Sequence, residues 1–283
     1  MSDNRQRSPD RKFALIAPVV IGLAALVVLV LLLTRPQEAP PPATPPPVVA
    51  APPAPPAAAT PAPTVVSRAD LVRAAGKAAD AFAAGAADGG KDLVGRRFAL
   101  RLAFGCGGPV ADPGPAQAYY QFDPAASALR LAARPAIWTD LPLVRAVPAP
   151  AGAESVEGFW IPRPWLTGDA CPARRQVAPP ATPTPVEAPS LGLAMFHVAE
   201  ASRVERRGLR AYEHVMKLQA DAVAQGRTFV LVLEGRISGF GDGAAIHCWS
   251  ESAEHRPTCL FAVDIDRVAF EDAQGTVLAD WPK

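Results

Sequence analysis

His247 and Cys248 are followed by His255 and Cys259, four side chains of the nitrogen and sulfur types that hold zinc. Neighbouring residues of an extended segment point to opposite faces, so His247 and Cys248 do not both turn toward one metal from a strand. All four cysteines, Cys106, Cys171, Cys248 and Cys259, lie beyond an N-terminal apolar run. In an oxidising compartment an even number of cysteines reads as disulfides, and that reading is preferred to a metal site. Three pairings are open. Proximity favours Cys248 with Cys259, which leaves Cys106 and Cys171 to close a longer loop. On the chain-entropy view these two bonds are worth about 3 and about 4 kcal/mol.

Other residue sets invite chemistry more weakly. Gly239, Gly241 and Gly243 could cradle an anion, but no phosphate-binding helix is expected after them, so a tight hairpin turn is the reading. Asp264 and Asp266 could share acid–base work, yet alternation places them on the wet face of a sheet, with Val263 and Ile265 turned inward. Arg203, Arg206, Arg207 and Arg210 form a dense basic stretch broken by Glu205. They are candidate contacts for lipid phosphates, an anionic wall polymer or an acidic partner surface. Residues 159–165, FWIPRPW, crowd three aromatics and two prolines into an edge or loop. There Trp160 and Trp165 either complete the core or offer rings to a sugar or peptide. The chain has no G-x-S-x-G, no H-E-x-x-H and no nucleotide-binding loop, so no catalytic residue is assigned. No cofactor is implied.

The elements that must position these residues are mostly strands. Residues 67–88 are the exception: Ser67 and Asp70 make a capping box, and Leu71, Ala75, Ala78, Phe82 and Ala86 fall on one face at helical spacing. The resulting helix should pack on the domain through that face and end at Gly89-Gly90. Alternation predicts strands at 98–104, 118–122, 128–132, 156–161, 191–199, 228–237, 245–250, 258–263, 266–271 and 277–281. Segment 210–218 alternates Tyr212, His214, Met216 and Leu218 against Glu213 and Lys217. It also fits a helix with Leu209, Tyr212, Met216 and Ala220 on one face; strand is the reading adopted. Five prolines between Pro179 and Pro189 mark a loop or boundary.

Before all of this stands Phe13–Leu33, free of charge and made only of apolar residues, Gly and Pro. At about 1.5 Å per residue it spans roughly 30 Å, the thickness of a bilayer's hydrocarbon core. A cleaved secretory signal has a shorter apolar region and a small-residue cleavage site, whereas this run ends LVLLLTRP. Arg5, Arg7, Arg11 and Lys12 precede it and only Arg35 follows closely. The expectation is a single-pass signal-anchor in the inner membrane, with the tail 1–12 in the cytoplasm and the rest in the periplasm. From Arg35 to Val66 there are 13 prolines in 32 residues. Such a segment favours extended polyproline II and reaches up to roughly 100 Å at about 3.1 Å per residue. An anchor followed by a Pro-rich spacer resembles the layout of the TonB energy-transducing proteins. The resemblance ends at residue 66, the spacer lacks their alternating Glu-Pro and Lys-Pro blocks, and it implies nothing about the remaining chain.

The chain carries 28 basic and 27 acidic residues. Such balance lacks the basic excess that a phosphate backbone demands, which argues against a nucleic-acid partner. Taken together, the sequence predicts a tail (1–12), an anchor (13–33), a Pro/Ala-rich linker (34–66), a helix (67–88) and two β-rich segments (93–177 and 190–283). The fold class is mainly β, an antiparallel sandwich or barrel, OB-like in its second half. The expected role is an envelope binding or scaffolding module, touching the bilayer through 13–33 and a protein or wall partner beyond it. A cell-wall or glycan hydrolase is the alternative.

Overall fold

A computed structural model describes residues 64–86, 89–114, 116–173, 188–199, 205–218 and 227–283. The expected anchor and nearly all of the linker lie outside these residues. Among the described residues no helix is long and apolar enough to cross a membrane. The capping box forms as the sequence predicts, each partner accepting the other's backbone N–H, and starts helix α1 (Arg68–Ala83). Leu71, Ala75 and Ala78 are buried, whereas Phe82 is 39% exposed. The helix stops short of residue 88, because Gly85 takes a left-handed φ of 70° that ends it sooner than Gly89-Gly90 would. Val66, last in the expected linker, is buried. It belongs to the folded unit: its N–H donates to Arg97 O and its carbonyl accepts from Ala99.

Eleven strands follow: β1 (Arg97–Phe104), β2 (Ala118–Asp123), β3 (Ala128–Ala133), β4 (Ala136–Ile137), β5 (Ala153–Trp160), β6 (Leu191–Val198), β7 (Tyr212–Lys217), β8 (Phe229–Ile237), β9 (Ile246–Trp249), β10 (Thr258–Asp272) and β11 (Val277–Pro282). A short helix, α2 (Pro142–Ala146), precedes β5. The strands make two sheets. One is eight-stranded and mixed, ordered β1-β8-β10-β6-β5-β4 with β9 and β11 also on β10; the other is three-stranded, ordered β2-β3-β7 and antiparallel. Segment 210–218 is therefore strand, with Tyr212, His214 and Met216 turned toward the interior side.

Neither sheet closes into a barrel, and the second half is not an OB-like unit. Its β7 joins β2 and β3, and its β8 pairs with β1, so both sheets draw strands from either side of residues 174–187. The small sheet meets the large one through rings: Tyr120 on Phe229, with centroids 5.2 Å apart, and Tyr212 on Trp281, 5.3 Å apart. The α1 residues Leu71, Ala75 and Ala78 share this apolar core with the strands. A second cluster holds Trp138, α2 and Phe240 against Val156, Ala194, Leu260 and Ala262. In β10 the alternation assigns Phe261 and Val263 to the first core and Leu260 and Ala262 to the second, so the large sheet is covered on both faces at this stretch.

Segments 258–263 and 266–271 are not two strands but one, interrupted by a bulge. Val263 pairs with Ile237 and Ile265 with Gly235, but Arg267 is the next to pair, opposite Glu234. Asp266 is the extra residue. It switches the inward parity from Cys259, Phe261 and Val263 to Val268 and Phe270, all of one core. The partner strand accommodates this with a glycine: a Cβ on Gly235 would stand 2.0 Å from Asp264 O. The turn after β8 also departs from expectation. β8 and β9 do not form a hairpin; they pair with successive stretches of β10, and 238–245 loops out between them. Both disulfides are present, Cys248–Cys259 directly across the β9–β10 ladder and Cys106–Cys171 between the loops after β1 and β5.

Gly235→Ala drives a methyl into the backbone of β10, so overpacking should lower stability by about 1–3 kcal/mol. Urea unfolding of the oxidised protein measures it, and an unchanged midpoint would show that the bulge does not depend on this close approach.

Candidate functional site

Two clefts gather the residues that the sequence singles out. The first lies where β6 and β11 part company. β6 runs parallel to β10 only over Leu191–Ala194, then continues alongside β5. β11 takes up pairing with β10 only from Arg267. The fork leaves a cleft of about 410 Å³ that includes Glu157, His197, Arg207, Arg210, Asp264, Asp266 and Trp281 in its lining.

Its floor is polar and buried. Glu157 on β5 is 1% exposed and His197 on β6 is 7% exposed. The Glu157 carboxylate accepts the backbone N–H of Arg207 at 2.9 Å and of Gly208 at 2.6 Å, and its Oε2 lies 3.7 Å from His197 Nε2. Two charge-assisted hydrogen bonds, about 1.5–3 kcal/mol each, offset the several kcal/mol lost on desolvating a carboxylate. Glu157 is thus a clamp on the 207–208 turn. Arg207 lies over the Tyr212 ring at 4.1 Å and donates from Nη2 to Ala211 O. Burial pushes the Tyr212 hydroxyl up from its ordinary value.

The predicted arginines do not make one open basic patch. Arg203 lies outside the described residues. Arg206 is exposed and its carbonyl accepts from Arg210 Nη2, while Arg210 Nε donates to Arg207 O. The stretch spends much of its donor capacity holding its own backbone, and only Arg207 and Arg210 reach the fork cleft. Asp264 and the bulged Asp266 line it too, with Asp266 3.5 Å from Arg97. Neither Glu157 nor His197 was singled out in the sequence. A glutamate inside the apolar run VEGFWI and a histidine inside LGLAMFHVA were the available signals.

The second cleft is larger, about 770 Å³, and mainly apolar. One wall is the end of β1, Leu102 to Cys106; the other is Phe159–Trp165. Both predicted tryptophans line it, in different ways. Trp160 is half-buried with its ring 4.4 Å from Trp138, whereas Trp165 is 54% exposed. The two walls are braced. Gln117 donates to Gly158 O and accepts from Trp160 N–H, capping the edge of β5 beyond β4. Arg163 Nη2 donates to Ala103 O at 2.8 Å. Behind the loop, buried Arg68 gives its guanidinium to the carbonyls of Leu166, Pro162 and Arg163 at 2.9, 2.6 and 2.9 Å.

The His247, Cys248, His255 and Cys259 set does not assemble as ligands. Both sulfurs are spent in one disulfide, His247 Nε2 sits 3.0 Å from Asp242 Oδ2, and His255 Nδ1 meets the Ser252 hydroxyl. The glycine turn likewise faces the protein: Gly241 N–H donates to Pro148 O and Phe240 N–H to Ala244 O.

Burial lowers the His197 imidazole below the ordinary 6.5, outweighing the opposite pull of Glu157 and Glu205. Below pH 6.5 the unfolded chain therefore takes up a proton that the folded chain resists, and stability falls as pH drops through that window. His197→Gln should flatten this decline in unfolding curves taken between pH 7 and pH 5; an unaltered slope would remove His197 as its source. Comparison with protein-family models, curated proteins and solved structures finds no match to this chain.

Proposed function

We propose that this chain is a single-pass envelope protein whose β region works as a binding or scaffolding module. In this reading residues 13–33 anchor it in the inner membrane with the N-terminus in the cytoplasm, the Pro/Ala-rich linker spaces it from the bilayer, and the folded region occupies the periplasm. The uncharged run, its basic N-terminal flank and the two disulfides support that placement. One observation carries the binding role: a cleft of about 770 Å³, walled mainly by apolar side chains and edged by exposed Trp165. Its size falls within the about 300–1,000 Å³ typical of ligand sites. The fork cleft supports binding less directly, since its buried groups already hold one another. The hydrolase alternative draws on Asp264 and Asp266, which line that cleft together.

The test uses the full chain in intact cells. A photo-cross-linking phenylalanine analogue replacing Trp165 should give a discrete envelope adduct, while the same probe at Val277, an exposed β11 position, should give none. The protein should also stay with membranes on carbonate extraction. Release by carbonate would overturn the placement. Absence of a Trp165 adduct, together with turnover of wall fragments that Asp264→Asn abolishes, would reverse the reading in favour of the hydrolase.

A further inference from the structure

The large cleft has a pronounced chemical asymmetry. Among the described residues that line it, Arg163 is the only charged one. Its guanidinium has five N–H donors, one of its nitrogens donates to Ala103 O, and no described carboxylate pairs with it. Arg163 also stands at φ 52°, a left-handed conformation that is uncommon and costly for a residue other than glycine. Arg68, buried just behind the same loop on three carbonyls, does not line the cleft, and its charge is opposed by Asp169. The one side-chain amide in the lining, Gln117, is spent on Gly158 O and Trp160 N–H. A peptide side chain would find few polar side-chain partners there. An alkyl chain needs none.

We propose that this cleft takes a single-chain amphiphile with an anionic head, a long-chain acyl carboxylate, its chain along the apolar surface that Trp160, Pro162 and Pro164 leave half-buried and its carboxylate on Arg163. The inference rests on the binding reading above and specifies its ligand. A carboxylate on the free guanidinium edge forms the charge-assisted pair that Arg163 lacks, while the hydrocarbon fills the space the apolar walls enclose. Trp165 at the rim, with its apolar ring and polar N–H, suits the junction between the two parts.

The test is photo-labelling of the full chain in phosphatidylcholine nanodiscs at pH 8, with a diazirine-bearing hexadecanoic acid and, in parallel, the matching hexadecanol. The acid should label peptides containing Leu102–Cys106 and Trp160–Trp165 and be chased by unlabelled hexadecanoate. A competitor two methylenes shorter should be about tenfold weaker. Arg163→Gln should lower labelling by the acid about tenfold and leave labelling by the alcohol unchanged, which also reports that the cleft is folded. Equal labelling of the cleft by acid and alcohol in the wild type would overturn the anionic-head inference while leaving a binding cleft in place. Labelling of neither kind in the cleft would overturn the inference, while the binding reading itself stands or falls on the Trp165 adduct.

Discussion

The structure depends on one strand having both edges occupied by four different neighbours. β10 is paired along one edge by β9 and then β8, and along the other by β6 and then β11. A straight 15-residue strand twists too far for one flat neighbour to follow, and the bulge at Asp266 is where the change of partners is accommodated. It restores the inward parity that a change of direction would otherwise lose. Phe261 and Phe270 consequently face one core although nine positions, an odd number, separate them in sequence. The fork cleft is a by-product of the same geometry. With β6 gone after Ala194 and β11 not yet begun before Arg267, a short stretch of one edge has no strand partner, and polar groups collect there.

Buried charge is handled by the same rule at both clefts: a side chain is tied to backbone rather than to an opposite charge. Glu157 takes two N–H groups of the 207–208 turn, and Arg68 takes three carbonyls of the 162–166 loop. Backbone dipoles cannot move off as a salt-bridge partner can, so each tie fixes a loop as well as satisfying a charge. Removing Glu157 or Arg68 would leave two or three part-buried backbone groups unpaired, and that loss exceeds the modest net worth of a surface ion pair such as Arg73–Asp70.

What the sequence revealed followed from short-range physics. Ser67 and Asp70 marked the helix start because a capping box joins residues only three positions apart. The alternation in 228–237 marked β8 because burial of one face has a period of two. Proximity paired Cys248 with Cys259 because an 11-residue separation suits neighbouring strands. The misses were long-range. Residues 264 and 265 read as a gap between strands 258–263 and 266–271, since a bulge is specified by the opposite strand, where Gly235 alone betrays it. GFGDG read as a hairpin, although its two flanking strands both turn to a third. Glu157 looked like an ordinary strand residue, as its partners lie about fifty positions downstream. The arginine stretch was noticed, but the sequence could not say that its donors would be spent on its own turn.

An exposed tryptophan usually carries an entropic liability, because ordering it on binding costs conformational freedom. Trp165 is placed so that much of that cost is met in folding. Its loop is held at one end by Arg68, across the cleft by Arg163 on Ala103 O, and beyond it by the Cys106–Cys171 bond. Three ties on one short stretch, two of guanidinium to backbone carbonyl and one covalent, are more than a passive connection requires. Proline at 162 and 164 stiffens the same stretch further, since each fixes φ and narrows the conformations of the residue before it. A rigid loop that presents a large amphipathic ring beside an apolar cleft retains the features of a preorganised binding edge, whereas a ring needed only for the core would have been turned inward as Trp138 is.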